Sequence, residues 1–161
     1  MSVQYLAVSP HYAEERPTAV EVVDLFREAE LNGPLDDLRR VQRMVDEAQH
    51  VVTARIDGCL VGLVRVLTDF SYNAFIADLA VHPACQRRGI GSTLVTRATG
   101  DSPGVKFVGH AGHDSGAFWV RNGFSPAAPR TLACRGLGGP RRPRGAAVVV
   151  GHRLEPAGHP P

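Results

Sequence analysis

The chain has 161 residues, of which 43% are hydrophobic and 21% charged, and its net charge is +2. These values are typical of one folded globular domain. No apolar run approaches the ~20 residues that span a bilayer, and the first residues lack a signal-peptide pattern, so we expect a cytoplasmic protein with no membrane partner. The three cysteines form no C-x-x-C pair and no ligand cluster with the seven histidines, so we expect no disulfide framework and no metal site.

The charge is distributed unevenly along the chain. Residues 126–161 contain six arginines and one acid, whereas residues 1–125 contain 12 basic and 15 acidic side chains. We therefore predict a folded domain over residues 1–125. A Pro/Gly/Arg-rich segment follows over residues 126–161, with closing strands at 131–135 and 146–150, an irregular stretch at 136–145 and a disordered end at 156–161. Arginines 141, 142 and 144 lack interleaved aromatic residues, so nucleic acid is a disfavoured partner.

One strand and two helices are predicted first along the chain. Residues 2–8 are predicted to form a strand. Thr18 and Glu21 match a capping box that opens a helix, and residues 32–34, Asn-Gly-Pro, end it. The periodicity predicts a second helix over residues 35–48, with one apolar face formed by Leu38, Val41, Val45 and Ala48.

The following segment is rich in β-forming residues. Strands are predicted at 50–56 and 59–67, joined by an Asp57-Gly58 hairpin turn, and a third strand at 73–82. A helix over 89–99, a strand over 105–110 and a short helix over 115–122 follow. The predicted order is β-α-α-β-β-β-α-β-α and then the two closing strands.

Residues 76–95 carry the most informative pattern: a strand, a short turn and a helix start marked by glycines. Gly89 and Gly91 let the backbone approach a ligand closely. A helix N-terminus exposes unpaired N–H groups that bind phosphate, and Arg87 and Arg88 add positive charge. The pattern is neither G-x-G-x-x-G, because position 94 is Leu, nor a P-loop. We predict that a pyrophosphate binds the amides of residues 88–92; a solvated turn without a ligand is the alternative.

The Gln-x-x-Gly-x-Gly of residues 86–91, after a Val-His-Pro strand end, resembles the acetyl-CoA signature of the GNAT (Gcn5-related N-acetyltransferase) superfamily. Residues 117–124 resemble its late Phe-Tyr-x-x-x-Gly-Phe element, and the resemblance covers about residues 3–125. It implies an α+β fold in which a mixed, mostly antiparallel central sheet is flanked by helices on both faces. It also implies that the strand ending at Val81 diverges from the following strand and that pantetheine enters the gap.

The resemblance implies an N-acetyltransferase that moves the acetyl group of acetyl-CoA to a primary amine of a small molecule or peptide, by direct attack in a ternary complex and without a metal. A catalytically impaired acyl-CoA-binding module is the alternative, and a homodimer is left open. The residues expected to bind acetyl-CoA are Leu79, Ala80, Val81, Gln86, Arg87, Arg88, Gly89, Ile90, Gly91 and Ser92.

Amine attack on a thioester requires a general base. Asp78 is the first candidate, because an acid predicted to share a strand face with Ile76 and Ala80 should have a raised pKa. The alternative is that Asp78 forms a structural ion pair, for which Arg65 is a candidate. The expected oxyanion donor is a backbone amide within residues 79–81.

Several residues are candidates to donate a proton to the departing thiolate. Trp119 stands where the family usually has tyrosine, and an indole N–H donates a hydrogen bond but does not titrate usefully. Histidine is the side chain that ordinarily exchanges protons near neutral pH, so His110 and His113 are each candidates for acid or base. Cys85 has no evident neighbouring base, which argues against a nucleophilic role.

Overall fold

A computed structural model describes residues 8–100, 102–112, 114–126 and 147–152. His113, most of the strand predicted at 2–8, the strand predicted at 131–135, the stretch at 136–145 and the end at 156–161 lie outside these residues. The described elements are β1 (His11–Glu14), α1 (Ala19–Glu28), α2 (Leu38–Asp46), β2 (His50–Ile56), β3 (Cys59–Thr68), β4 (Asn73–Val81), a 3₁₀ turn (Pro83–Cys85), α3 (Ile90–Thr99), β5 (Lys106–Ala111), α4 (Gly116–Arg121), β6 (Phe124–Pro126) and β7 (Ala147–His152).

The strands form one seven-stranded sheet in the spatial order β1-β2-β3-β4-β5-β7-β6. The β4–β5 pair is parallel and the other neighbouring pairs are antiparallel. The predicted α+β class is therefore confirmed, and so is the order of the elements from α1 to α4. The strands β1 and β6, which are four and three residues long, were not predicted. Because β7 is inserted between β5 and β6, the segment beyond residue 125 contributes an inner strand. The division of the chain at residue 125 itself stays a prediction.

Helices cover both faces of the sheet, as expected. The apolar side chains of α1 and α2 form one buried cluster with Val51, Leu63 and Ala80. Those of α3 form a second cluster with β-strand residues of the opposite face and with the aromatic residues that follow β5. Burial of apolar surface against both faces stabilises this layered arrangement. None of the described helices is long and apolar enough to cross a membrane.

The start of α2 differs from the prediction. The helix begins at Leu38, and Asp37 is its N-cap, whose side chain accepts a hydrogen bond from the Arg40 amide. The Leu38 side chain is 47% exposed, whereas Val41 and Val45 are buried. The prediction that Leu38 lies on the buried apolar face was therefore wrong, because Leu38 is the first residue of α2 and lies at the end of its apolar stripe.

Gly62 sets how closely α3 approaches the sheet. A Cβ at this position would lie 3.0 Å from Leu94 Cδ1 and 3.1 Å from Ile90 Cγ2. A side chain there would push the helix away, since core packing tolerates little added volume. The close contact fixes the first turn of α3 beside the end of β4.

A β-bulge in β4 changes the orientation of the side chains around Asp78. Arg65 pairs with Asp78 but Val66 pairs with Ile76, so Ala77 is an extra residue in β4. An extra residue reverses the alternation of faces. Ile76 therefore packs into the α3 cluster and Ala80 into the α1–α2 cluster. The prediction that Asp78 shares a face with both was wrong for Ile76, because the sequence pattern does not reveal the bulge.

Candidate functional site

The strands β4 and β5 separate at the middle of the sheet. Their parallel pairing runs from Asn73 with Lys106 to Ile76 with Gly109 and then stops. Strand β4 continues to Val81, while β5 continues to Ala111 in its pairing with β7. The expected divergence of these strands is confirmed, and it leaves a gap beside the second half of β4.

The backbone of β4 offers hydrogen-bonding groups to this gap. The His82 amide donates to the Val61 carbonyl, 2.9 Å away, and residues of an antiparallel ladder alternate in the side toward which their backbone groups point. The backbone groups of Asp78 and Ala80 therefore face β3, and those of Leu79 and Val81 face the gap. Residues 79–81 are expected to pair with pantetheine, but the backbone groups of Ala80 point away from the gap. Gln86 donates its side-chain N–H to the Val81 carbonyl, 3.0 Å away.

The start of α3 leaves backbone amides without a capping acceptor. Arg87 and Gly89 have positive φ angles of 63° and 80°, and Gly89 is the N-cap of α3 but has no side chain to cap it. The first helical bond joins the Thr93 amide to the Gly89 carbonyl at 3.0 Å. Within the described part of the chain, no acceptor is found for the preceding amides, those of Ile90, Gly91 and Ser92. This uncapped start contrasts with α1 and α2, which are capped by Thr18 and Asp37.

The two arginines of the turn have different surroundings. The Arg87 side chain is exposed, whereas the Arg88 guanidinium donates to the Val8 carbonyl at 2.8 Å. Burial raises the pKa of the Cys85 thiol, and a hydrogen bond from Arg88 opposes that change. Cys85 therefore stays a buried thiol, which is a poor nucleophile. The expected positive charge at the turn comes from Arg87 and the helix start, while the Arg88 side chain is directed toward the protein.

Three segments of the motif meet at Gly91. A Cβ on this glycine would lie 3.2 Å from Phe118 Cε2 on α4 and 3.7 Å from Val81 Cγ2 on β4. The absence of a side chain therefore allows α4 to lie against the first turn of α3. The end of β4, the start of α3 and α4 surround one corner of the gap.

Trp119 lies in the hydrophobic core and is 4% exposed. Its ring makes edge-to-face contacts with Phe118 and Phe124, at centroid distances of 5.3 and 5.0 Å. Among the residues that the structure describes, the indole N–H has no hydrogen-bond acceptor. Trp119 therefore contributes packing and one donor, but no titratable group.

Asp78 forms the ion pair that was one of its two alternatives. Arg65 Nε donates to Asp78 Oδ2 at 2.6 Å, and the two side chains are only 11% and 12% exposed. Burial raises the pKa of Asp78 above its ordinary value, and the Arg65 guanidinium acts in the opposite direction. The ion pair and the raised pKa occur together, so the pair does not exclude a role as a base.

His110 lies one residue beyond the last β4–β5 pair. Its exposed ring meets the Phe75 ring edge to face at 5.5 Å. Because Ala74 and Ile76 are buried on the α3 side, Phe75 and His110 lie on the opposite face, which is also the face of Asp78. His110 and Asp78 thus flank the opening of the gap. The sequence did not indicate Phe75 as part of this site.

The sequence matches a known protein family. The model of the acetyltransferase (GNAT) family matches residues 5–124, which is most of the chain. No curated protein matches the sequence significantly.

Solved structures share the fold. A candidate acetyltransferase of meticillin-resistant Staphylococcus aureus is 20% identical with a TM-score of 0.70, over 79% of this chain and 98% of that one. A candidate acetyltransferase of Deinococcus radiodurans R1 is 26% identical with a TM-score of 0.67, over 83% and 93%. The Escherichia coli GNAT N-acetyltransferase YhbS, solved in complex with CoA, is 23% identical with a TM-score of 0.65, over 90% and 82%.

Proposed function

Because the chain belongs to the GNAT acetyltransferase family, we propose that it transfers the acetyl group of acetyl-CoA to a primary amine, carried by a small molecule or a peptide, by direct attack in a ternary complex. The observation that carries this proposal is the gap between β4 and β5 that ends at the uncapped start of α3. Such a gap offers an extended ligand a strand edge at one end and an anion site at the other.

The residues at the gap fit CoA. The amides of Ile90, Gly91 and Ser92 supply donors for the pyrophosphate, and the exposed Arg87 adds charge. The open space at Gly89, where a Cβ would meet nothing within 4 Å, leaves room for a phosphate. The backbone groups of Leu79 and Val81 supply the edge along which the pantetheine arm pairs. When bound, acetyl-CoA supplies the activated acetyl group as a thioester.

Asp78 is proposed to accept the proton of the amine, directly or through a water molecule. An alkylamine with a pKa near ~10.4 is almost entirely protonated at pH 7, a handicap of about 4–5 kcal/mol. A carboxylate whose pKa is raised by burial is a better base at neutral pH than an ordinary aspartate. Asp78 lies on the face of the sheet opposite to α3, so the amine would approach from the side of α1 and α2.

The remaining groups stabilise charge. The N–H of Leu79 or Val81 would donate to the oxyanion, as backbone donors do in other acyl-transfer sites. The thiolate has a pKa near ~8.5 and is a tolerable leaving group without an acid. His110 at the opening of the gap and the N–H of Trp119 are the proposed donors to it.

Thiol release from acetyl-CoA in the presence of a panel of primary amines tests the proposal directly. We expect release that depends on one class of amine and on the concentrations of both substrates, with no acetyl-enzyme isolated when acetyl-CoA is added alone. A stable acetylated protein formed without amine would contradict direct attack.

The second candidate is a module that binds acyl-CoA without turnover. It is favoured by the buried Trp119, which lacks a titratable proton at a position where the family usually has tyrosine. Thermal stabilisation by CoA, together with no thiol release from any amine, would support this candidate over the enzyme.

A further inference from the structure

The Arg65–Asp78 pair joins three elements of the fold around the bulge of β4. Arg65 on β3 faces Asp78 on β4 directly in the ladder, at the last pair before the extra residue Ala77. Its Nε is bonded to Asp78 Oδ2, and its Nη1 donates to the Met44 carbonyl on α2 at 3.4 Å. The guanidinium is thereby held from two sides, and it holds one oxygen of the carboxylate.

The pair is almost fully buried, since both side chains are only 11–12% exposed. A buried carboxylate without a partner is protonated or strongly destabilising. Arg65 is also the only charged residue that acts on the Asp78 carboxyl among the described residues. The other titratable residues of the elements on this face do not act on it: Glu21, Asp24, Arg27 and Glu28 on α1, Arg39, Arg40, Arg43 and Asp46 on α2, and Lys106 and His110 on β5.

We propose that Arg65 is a positioning residue for the reaction: it orients the Asp78 carboxylate at the bulge and keeps it charged, so that the second oxygen is available to accept the proton of the amine. This inference rests on the proposed function, in which Asp78 is the base. Arg65 itself touches no reacting atom in this scheme. The bulge matters because it places Asp78 on the face of the sheet that α2 covers, where the Met44 carbonyl accepts a hydrogen bond from the guanidinium.

The pH dependence of turnover separates this role from a purely structural one. In Arg65→Gln, burial of Asp78 is no longer opposed by a positive charge. A neighbouring opposite charge lowers the pKa of a carboxyl by about 1–3. We therefore expect the acid limb of kcat/KM to move to higher pH by about one pH unit or more, and the activity at pH 7 to fall by up to about tenfold for each pH unit that the limb moves. The affinity for CoA should stay within about twofold.

Three further variants complete the experiment. Arg65→Lys keeps the charge and should move the limb less than Arg65→Gln. Arg55→Gln is the matched control, because Arg55 is also a partly buried arginine with two carboxylate bonds of 2.6 Å, but it lies on β2 away from Asp78. Rates of each variant are divided by those of Asp78→Asn at the same pH, which removes the titration of the amine itself.

The outcomes are distinguishable. A limb that moves in Arg65→Gln, moves less in Arg65→Lys and stays in Arg55→Gln supports the positioning role. A limb unchanged in Arg65→Gln, or activity lowered equally at every pH, overturns it while leaving the acetyltransferase proposal intact. If Arg65→Gln does not fold, Arg65→Lys decides: lysine keeps the charge but lacks the guanidinium fork that bonds both Asp78 and the Met44 carbonyl, so turnover should fall, and wild-type turnover there overturns the inference. Full activity in Asp78→Asn would show that Asp78 is not the base, and it would overturn this inference as well.

Discussion

Gly91 and Phe118 are in direct contact: a Cβ on the glycine would lie 3.2 Å from the Cε2 atom of the ring. The contact joins the first turn of α3 to α4, two segments that are distant in the sequence. A side chain at this position would make Phe118 shift, which favours glycine over the alanine that helix propensity alone would prefer.

Gly91→Asp is expected to abolish CoA binding. The new side chain would displace Phe118 and place a negative charge among the amides proposed to bind the pyrophosphate. An acid in the first turn of a helix is favourable for the helix itself, so the loss should not arise from unfolding of α3. Calorimetry with CoA and a thermal melt measure the two effects, and unchanged affinity would refute the anion site.

Gly89→Asp is expected to have the same effect for a different reason. Gly89 has a φ of 80° and open space around its Cβ position, and Gly58 in the β2–β3 turn has a φ of 79° and equally open space. Asp at either position costs similar backbone strain, which makes Gly58→Asp a matched control. Only Gly89→Asp should lose CoA binding in calorimetry. Equal affinities for CoA in both variants would show that no phosphate binds at this turn.

Asp78→Asn should lower turnover by about 10²–10⁴-fold, the usual contribution of a general base, and should change the affinity for CoA by less than about threefold. The part of the acid limb that belongs to Asp78 should also disappear, because asparagine does not titrate, so that only the titration of the amine remains. Steady-state kinetics with a fixed amine, from acid to alkaline pH, measures both effects. A profile identical to that of the wild type would remove Asp78 from the mechanism.

Trp119→Tyr should retain or exceed the wild-type turnover, because the phenol O–H can donate a proton that the indole N–H cannot. Trp119→Phe is its control, since it retains an aromatic ring but has no donor. Trp119→Ala should destabilise the fold by about 3–5 kcal/mol, since the side chain is buried. Thiol release and urea unfolding measure these effects. A large loss of turnover in the tyrosine variant would show that the indole has its own role.

The ion pairs of Arg55 with Glu15 and Glu21 should make the free energy of unfolding depend on pH in the acid range. A hydrogen bond from Arg55 lowers the pKa of Glu21 to about 2, and bonds from Thr53 and Arg55 outweigh burial to lower the pKa of Glu15. Carboxyls with lowered pKa stabilise the fold above their unfolded pKa and lose that contribution as the pH falls through the folded value.

We therefore expect the free energy of unfolding to decrease between pH 4.5 and pH 2. The contribution should be of the order of 1 kcal/mol, because the carboxylates are partly exposed and screened by solvent. Urea unfolding across this range measures it. Arg55→Gln should unfold more easily than the wild type at neutral pH and about equally at pH 2; an equal difference at both pH values would contradict the assignment.

Sequence patterns alone predict the local features of this protein. The capping box at Thr18, the Asp57-Gly58 turn and the glycine-marked start of α3 depend on residues a few positions apart, so their patterns predict them directly. The order of elements and the family resemblance follow from the same local patterns. The same local pattern predicts the uncapped amides of α3.

Features that depend on pairing between distant segments become visible only in the folded protein. The sequence pattern does not reveal three such features: the extra residue Ala77, the contact of Arg65 with both Asp78 and Met44, and the insertion of β7 between β5 and β6. Register and bulges are set by how whole strands and helices pack against one another. For this reason the sequence could name Asp78, but the structure was needed to show which face it occupies and which residue holds it.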